Sequence, residues 1–351
     1  MPFTTDEITN AQNVSLDFYV RNRPAVDQIN IAHPLYKRLV SKKKNWSGSL
    51  QYVVEQLRNT NDDNSQSYFG PQEVSFNSKR TITQAKYGWG NVFSGYAMDE
   101  DQLRQNGVRI QPNGTAPTAS DNEVIQLTNL LEENNETLML GHEAFLDLSL
   151  HRTNSSDTNL PPGLDHLVQT DPSVSSIVGT INQSTSSWWR NYSAQNLNPD
   201  DLINEMEIAW RECVRYGGQT PDFILVGSDF LDAYRQQAGL TINRNIFNGG
   251  NSNGGVSLDA AVTATYFKGV ELVWDPAMDE LDSLDSPAIP WSKRCYFLNT
   301  KHLALRPIEG SWQVKRNPPM VYNRFVVYFG LTSTYALSTN KRRAHAVLSI
   351  Y

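Results

Sequence analysis

Six histidines, His33, His142, His151, His166, His302 and His345, are the side chains best suited to proton transfer or metal binding near neutral pH. None stands in an H-x-E, H-E-x-x-H or triad-like context, and neither G-x-S-x-G nor C-x-x-C occurs. Cys213 and Cys295 are too few for a disulfide framework and have no Cys or His at metal spacing, which fits a reducing compartment. Arg244–Gly255 (RNIFNGGNSNGG) lacks the Lys-Ser/Thr and the glycine spacing of a nucleotide cradle, so its composition predicts a mobile loop tip without a ligand. Pro221–Gln237 reads as strand, turn and helix, but Asp229 at the helix start would repel a phosphate. Asp275–Asp285 carries five acidic residues and no D-x-D-x-D-G pattern, so an exposed acidic rim is expected there rather than a calcium loop. Lys42-Lys43-Lys44 reads as a solvated corner or as a contact with an acidic neighbour. No acid/base pair or nucleophile assembles from these pieces, and no cofactor or metal is implied.

The elements around these residues are unusual in length. Ser49–Arg58 reads as a strand with Leu50, Tyr52 and Val54 on one face, and Glu73–Trp89 as a second with Val74, Phe76 and Ile82 aligned. The turn chemistry of Asn59–Pro71 lies between them. At about 3.3 Å per residue each arm would reach roughly 35 Å, and neither face is apolar enough to bury itself in its own domain. The ribbon is therefore expected on a neighbouring subunit. A helix is predicted from Ser120 to about Arg152, opened by a Ser120/Glu123 capping box. Val124, Leu127, Leu131, Leu138, Phe145 and Leu148 form its apolar stripe, with a kink expected near Gly141. At about 1.5 Å per residue it would be roughly 45 Å long.

The totals describe a globular chain of 351 residues with 39% hydrophobic and 19% charged content, long enough for two domains. A net charge of -7 argues against a protein that reads phosphates over a broad surface. MPFTTDEITN has no basic or apolar signal region, and the longest apolar run, Phe325–Leu331, is too short to span a bilayer. Residues 1–40 read as an arm with helical pieces, and Asp99–Gln105 as a short capped helix. Trp188-Trp189 is expected to pack at a seam. Asn198–Tyr216 is a capped helix with Leu202, Met206, Ala209, Trp210 and Cys213 on its buried face, and Ser228-Asp229 opens a helix through Gln237. Strands are predicted at Pro221–Val226, Tyr266–Trp274, Arg294–Leu298, Leu303–Pro307, Phe325–Tyr335 and Ala344–Tyr351. The fold class is α+β.

The order of these parts resembles the major capsid proteins of tailed bacteriophages, which share the Hong Kong 97-like capsid fold. An arm at 1–44 is followed by an extended β-hairpin loop at 45–90. A peripheral domain at 91–197 carries the long spine helix, followed by a polar turn and the pair Gly163-Leu164. An axial domain at 198–310 contains PDFILVGSDFLDAY and GVELVW, and 311–351 returns to the peripheral domain, with Phe325–Tyr351 as its closing strands.

The resemblance implies a structural protein of the virion, assembled in the host cytoplasm as hexamers and pentamers of an icosahedral shell around double-stranded DNA, without sequence-specific contacts and without a membrane. It implies a portal, a decoration protein in some relatives and, because the arm is too short for an internal scaffold, a separate scaffolding protein. Inter-subunit contacts are expected at Lys42, Lys43, Lys44, Tyr68, Phe69, Lys79 and Arg80. Some relatives join a loop Lys to a neighbour's Asn with help from a Glu. Lys79 or Lys86 and Asn323 stand in the matching places here, but Met320–Tyr351 holds no Asp or Glu, so a non-covalent shell is expected. Encapsulin-type shells share this fold and enclose enzymes instead of DNA. A soluble enzyme is the reading from a different class, and it would sediment as a small oligomer rather than a particle.

Overall fold

The computed structural model describes residues 31–47, 51–60, 65–76, 81–99, 101, 121–154, 157, 159–174, 176–248, 265–316 and 326–351, with backbone alone at 121–133, 217, 239–248 and 327. Of the expected helix at Asp99–Gln105, Asp99 is strand and Asp101 helical; its other residues, the Ser120 cap, Lys79, Arg80, Asn323 and most of the first arm lie outside the described residues, as does the loop from 249 to 255. Ala32–Tyr351 forms one compact unit; of the other, Met1–Ile31, only Ile31 is described.

In chain order the elements are helix α1 (Pro34–Ser41), strands β1 (Val53–Arg58), β2 (Ile82–Tyr87) and β3 (Gly90–Asp99), the long helix α2 (Asp121–His151), the single turn α3 (Leu164–Leu167), and the short strands β4 (Ile177–Val178) and β5 (Ile181–Asn182). Then come β6 (Tyr192–Leu197), α4 (Leu202–Gly217), β7 (Phe223–Val226), α5 (Ser228–Asn248), β8 (Thr265–Phe267), β9 (Val270–Trp274) and α6 (Pro276–Asp285). The chain closes with β10 (Arg294–Leu298), β11 (Leu303–Pro307), β12 (Val314–Arg316), β13 (Val326–Thr339) and β14 (Ala346–Ile350).

Six strands make the larger sheet, in the order β6-β14-β10-β7-β9-β8. Its centre is apolar on both faces: Ile224, Val226, Cys295, Phe297 and Leu348 join one core cluster, and Phe223, Leu225, Tyr296, Leu298 and Val347 the other. That two-sided burial is why PDFILV reads as a continuous apolar run. Helix α4 covers the first face with Leu202, Met206, Ala209, Trp210 and Cys213, the residues expected from its periodicity. Asn198 accepts a hydrogen bond from Asp200 N at 3.1 Å, Pro199 follows at the first position, and Gly218 ends α4 at φ 72°. Helix α5 runs past Gln237 to Asn248, so residues 244–248 of the expected loop are helical. Tyr266–Trp274 is two strands rather than one: Lys268 and Gly269 take φ of 49° and 82°, the paired positive values of a tight hairpin turn.

The second sheet is built on β13, which pairs with β3 along one edge and with β11 and β12 along the other. β3 is the aromatic segment after the ribbon, and its ten-residue register with β13 runs from Gly90–Tyr335 to Asp99–Val326. The closing strand β14, expected beside the peripheral strands, instead lies inside the six-stranded sheet, antiparallel to β10 and parallel to β6. Its five residues are all buried, which only a position covered on both faces provides.

Helix α2 runs unbroken through Gly141. The expected stripe is displaced, since Phe145 is 46% exposed while His142, Leu146, Asp147, Ser149, Leu150 and His151 are buried. Four of those are polar and hide the buried face from a count of apolar residues. His142 docks the helix on the second sheet, with Nδ1 2.8 Å from Ser94 Oγ of β3 and Nε2 2.8 Å from Ser333 Oγ of β13. Beyond the helix, a Cβ at Gly163 would lie 2.2 Å from the Arg152 carbonyl oxygen, so only glycine lets the chain turn back there.

Candidate functional site

The ribbon divides into two unlike parts. Its strands are six residues each, much shorter than expected, and the buried side of β1 is Val53 and Leu57, opposite Tyr87 and near Ala85, not Tyr52 and Val54; Leu50 lies outside the described residues. Register with β2 and contact with the second sheet select that face. Glu55 on the same side receives Arg306 Nη2 at 2.8 Å and Ser338 Oγ at 3.1 Å, and Tyr87 donates to the Thr339 carbonyl at 2.7 Å. The base is therefore anchored in its own domain, contrary to expectation. Residues 65–76 are not strand, and every one of them is exposed. Tyr68, Phe69 and Phe76 stand 69%, 86% and 91% open to solvent, a cost that a covering partner would remove.

The basic triplet is answered at home. Lys42 Nζ lies 2.7 Å from Asp222 Oδ2 and from Thr300 Oγ1, and Lys43 sits 5.5 Å over the Trp312 ring. Lys44 is exposed, and its backbone N–H donates to the Leu305 carbonyl as the chain runs beside β11. Lys86 is exposed on β2, with its backbone N–H on the Gly179 carbonyl at 3.0 Å.

The acidic segment 275–285 is not a free rim. Asp275 is fully buried and caps α6 through Ala277 N, with Pro276 in the first helical position. Asp279 accepts from Ser228 Oγ and Trp274 Nε1 at 2.7 and 3.0 Å. Asp282 accepts from the backbone N–H groups of Trp291 and Ser292, and Arg152 grips Asp285 through two contacts of 2.8 Å. Backbone donors and distant cations on other elements consume this charge, and a composition scan cannot see them.

Asp275 belongs to a buried chain of charges that motif reading missed. His151 Nε2 lies 3.0 Å from Asp275 Oδ2, and His151 Nδ1 lies 2.8 Å from the Asp147 carbonyl oxygen. A carbonyl and a carboxylate can only accept, so both ring nitrogens carry protons and His151 is an imidazolium. Burial opposes that charge, but Asp147 and Asp275 outweigh it and lift the His151 pKa to about 9. Asp147 also takes His33 Nδ1 at 3.0 Å and the Tyr36 N–H at 3.2 Å. The hydrogen bond to Asp147 raises the His33 pKa against the effect of burial. Asp147, His151 and Asp275 match a cation-binding set in residue type. Their protons already satisfy it, and Nε2 has no lone pair to offer a metal. The local signal was Asp147 and His151 four residues apart on one helix; His33 and Asp275 are brought in by tertiary packing.

A second buried centre holds Arg342, 1% exposed. Its guanidinium donates to the carbonyls of Leu167 and Trp189 at 2.7 and 2.8 Å, to Gln183 Oε1 at 2.8 Å and to Asn191 Oδ1 at 3.0 Å. Burial draws its pKa down to about 10. Trp189 is buried beside it with Nε1 on the Val178 carbonyl at 3.0 Å, so the tryptophan pair is packing, as expected. Nearby His345 accepts the Asn299 N–H on Nδ1 at 3.2 Å, and burial, with His302 and Arg342 adding to it, pushes its pKa to about 3.

Nothing here forms a catalytic constellation among the described residues, and the whole-chain comparison decides the fold. No family model and no curated protein matches the sequence. Among solved structures, the chain is similar to a subunit of the cyanophage A-1(L) capsid at 12% identity and TM-score 0.59, over 93% of this chain and 96% of that one. The chain has the fold of phage capsid subunits. The capsid of Myoviridae phage XM1 matches at 12% identity and TM-score 0.56, over 93% and 95% of the two chains. The capsid of a native GTA particle matches at 11% identity and TM-score 0.51, again over 93% and 95%. The mixed helix-and-sheet architecture is thus shared over 93% of the chain at 11–12% identity. No helix among the described residues is long and apolar enough to cross a membrane.

Proposed function

We propose that this chain is the repeating subunit of an icosahedral shell of the Hong Kong 97 type, built from hexamers and pentamers around the double-stranded DNA of a tailed phage. The observation that carries this reading is the fold likeness to capsid subunits over 93% of the chain. In this reading α2 and the β13 sheet form the peripheral domain. The six-stranded sheet with α4 and α5 forms the axial domain, and β14 belongs to the latter. The role is structural rather than catalytic. A net charge of -7 supports it, because a shell should not hold tightly to the genome it must release.

The exposed end of the hairpin, with Tyr68 and Phe69, is the inter-subunit element. The shell is held without covalent links, since Met320–Tyr351 offers no carboxylate to deprotonate a lysine. Expression of the chain, alone and with the scaffolding protein of its gene neighbourhood, followed by sedimentation and negative-stain imaging, tests the reading. Closed particles in the megadalton range are expected, dissociating to single chains in hot denaturant. A monomer or small oligomer under both conditions overturns the shell; covalent ladders on a reducing gel overturn the non-covalent closure alone.

A further inference from the structure

Where β1 ends, a cleft of about 500 Å³ opens between that strand, the Trp188–Trp189 turn, the end of α4 and the turn at 340–343. In a chain of net charge -7 its ionisable lining is basic: Arg58, His302, Lys341, Arg342 and Arg343 border it, and no carboxylate does. The buried member of this set is the telling one. Arg342 is 1% exposed, and every oxygen it meets is neutral: the carbonyls of Leu167 and Trp189 and the amides of Gln183 and Asn191. No carboxylate pairs with it among the described residues, and none offsets the fall that burial imposes on its pKa. A buried ion without a counter-ion is costly. Its four bonds also use only four of the five N–H groups of a guanidinium.

The surrounding cations share the deficit. Arg58 is exposed and has no ionic partner among the described residues. The Arg343 guanidinium is fixed 4.3 Å over the Tyr216 ring and donates to the Ser187 carbonyl at 3.0 Å. Glu212 lines a neighbouring cleft with Arg343, but Arg215 already engages it at 3.4 Å. The lowered pKa of His302, set first by burial, also reflects the positive field of Lys341, Lys44 and Lys301. What the cleft lacks is negative charge, and more than one carboxylate of it. Guanidinium groups match phosphate oxygens in pairs, and three such groups meet here. The volume suits a small ligand or the end of a flexible strand. Duplex DNA keeps its phosphates on the surface of a stiff rod and does not enter. Trp188, half-buried in the lining, adds an aromatic surface for a base.

We propose that this cleft binds clustered phosphoryl groups, those of a nucleotide or of the end of a single strand, with Arg58 and Arg343 gripping their oxygens and the buried charge of Arg342 completing the field. The site goes beyond the shell reading and does not depend on it. It is also separate from any contact with packaged duplex, which offers a charged surface rather than a phosphate that can enter a cleft.

Titration of the full-length chain with sodium tripolyphosphate, a nucleoside triphosphate and a short 5′-phosphorylated single strand, followed by tryptophan fluorescence and calorimetry, tests the site. Saturable, mutually competitive binding that weakens with salt is expected. Arg58→Gln with Arg343→Gln weakens it by about tenfold or more, because two charge-assisted contacts are lost. Arg235→Gln, on α5 and outside the lining, leaves it unchanged. Arg342 stays intact because its bonds hold core segments together. Circular dichroism checks the double variant; if it does not fold, Arg58→Gln alone, on an exposed side chain, carries the test with a smaller change. The tighter of nucleotide and strand identifies the carrier of the phosphates. Absence of binding, or equal weakening by Arg235→Gln, overturns the site. Equal binding of an unphosphorylated blunt duplex overturns the cleft in favour of a broad charged surface, and equal binding of an oligoglutamate peptide overturns the phosphate assignment. The shell reading stands or falls separately, on particle formation.

Discussion

Arg342 and His151 are both fully buried cations that tie remote segments into the core, yet their charges are answered differently. Arg342 gathers Leu167, Gln183, Trp189 and Asn191 with neutral oxygens only. His151 sits between the carboxylates of Asp147 and Asp275, joined through Asp147 to His33 at the start of α1. The first arrangement depends on the position of every acceptor and hardly on pH, because a guanidinium stays charged throughout the physiological range. The second depends on one proton. Two parts of a fold can therefore share a task and differ in how far pH governs them.

Arg342→Met should give the largest loss, about 4 kcal/mol, since four buried acceptors lose their donor at once. The loss should show in the urea midpoint of the purified chain. A loss under about 1 kcal/mol would mean that water replaces the guanidinium there. Asp275→Asn should come next, at about 3 kcal/mol, because His151 keeps its proton with one carboxylate fewer. The Asn side-chain oxygen can still cap α6, so the helix should survive and the change should report the charge pair.

The pH profile separates the two centres more finely. The His151 pKa is raised from 6.5 to about 9, so its contribution is complete below about pH 6.5 and fades as pH rises through 9. His345, in the Arg342 corner, is lowered to about 3; its contribution is complete above about pH 6.5 and fades as pH falls. Urea midpoints between pH 4 and pH 10 should trace a dome. His151→Gln should flatten the alkaline limb and His345→Asn part of the acid one; an alkaline limb unchanged in His151→Gln would assign it to another group. His33→Ala should cost least, about 1 kcal/mol, because Asp147 keeps the Tyr36 N–H and His151. Its effect should appear as faster proteolysis near α1 before any change in the global midpoint.

What was legible in the sequence follows the same division. Helix α4 and strand β7 were readable residue by residue, because apolar periodicity and local capping by Asn198, Pro199 and Gly218 specify them. The acidic run 275–285 was misread because its partners, Arg152, Ser228, Trp291 and His151, come from other elements. The buried face of α2 was misplaced because His142, Asp147 and His151 occupy it, and His33 meets Asp147 across 114 residues of sequence. The ribbon was overdrawn because β-forming residues at 73–76 were joined to a strand that starts at Ile82. The comparison of whole folds, not any motif, carries the functional reading.

The place of β14 has a consequence for biosynthesis. It lies between β6, made some 150 residues earlier by the residue numbers, and β10. Until residue 350 has left the ribosome, β6 has no strand beside it and the edge of β10 stays open, a template for pairing with another nascent chain. The six-stranded sheet therefore closes only after residues 346–350 have joined β6 to β10. A chain stopped before Ala346 would leave the β10 edge unpaired.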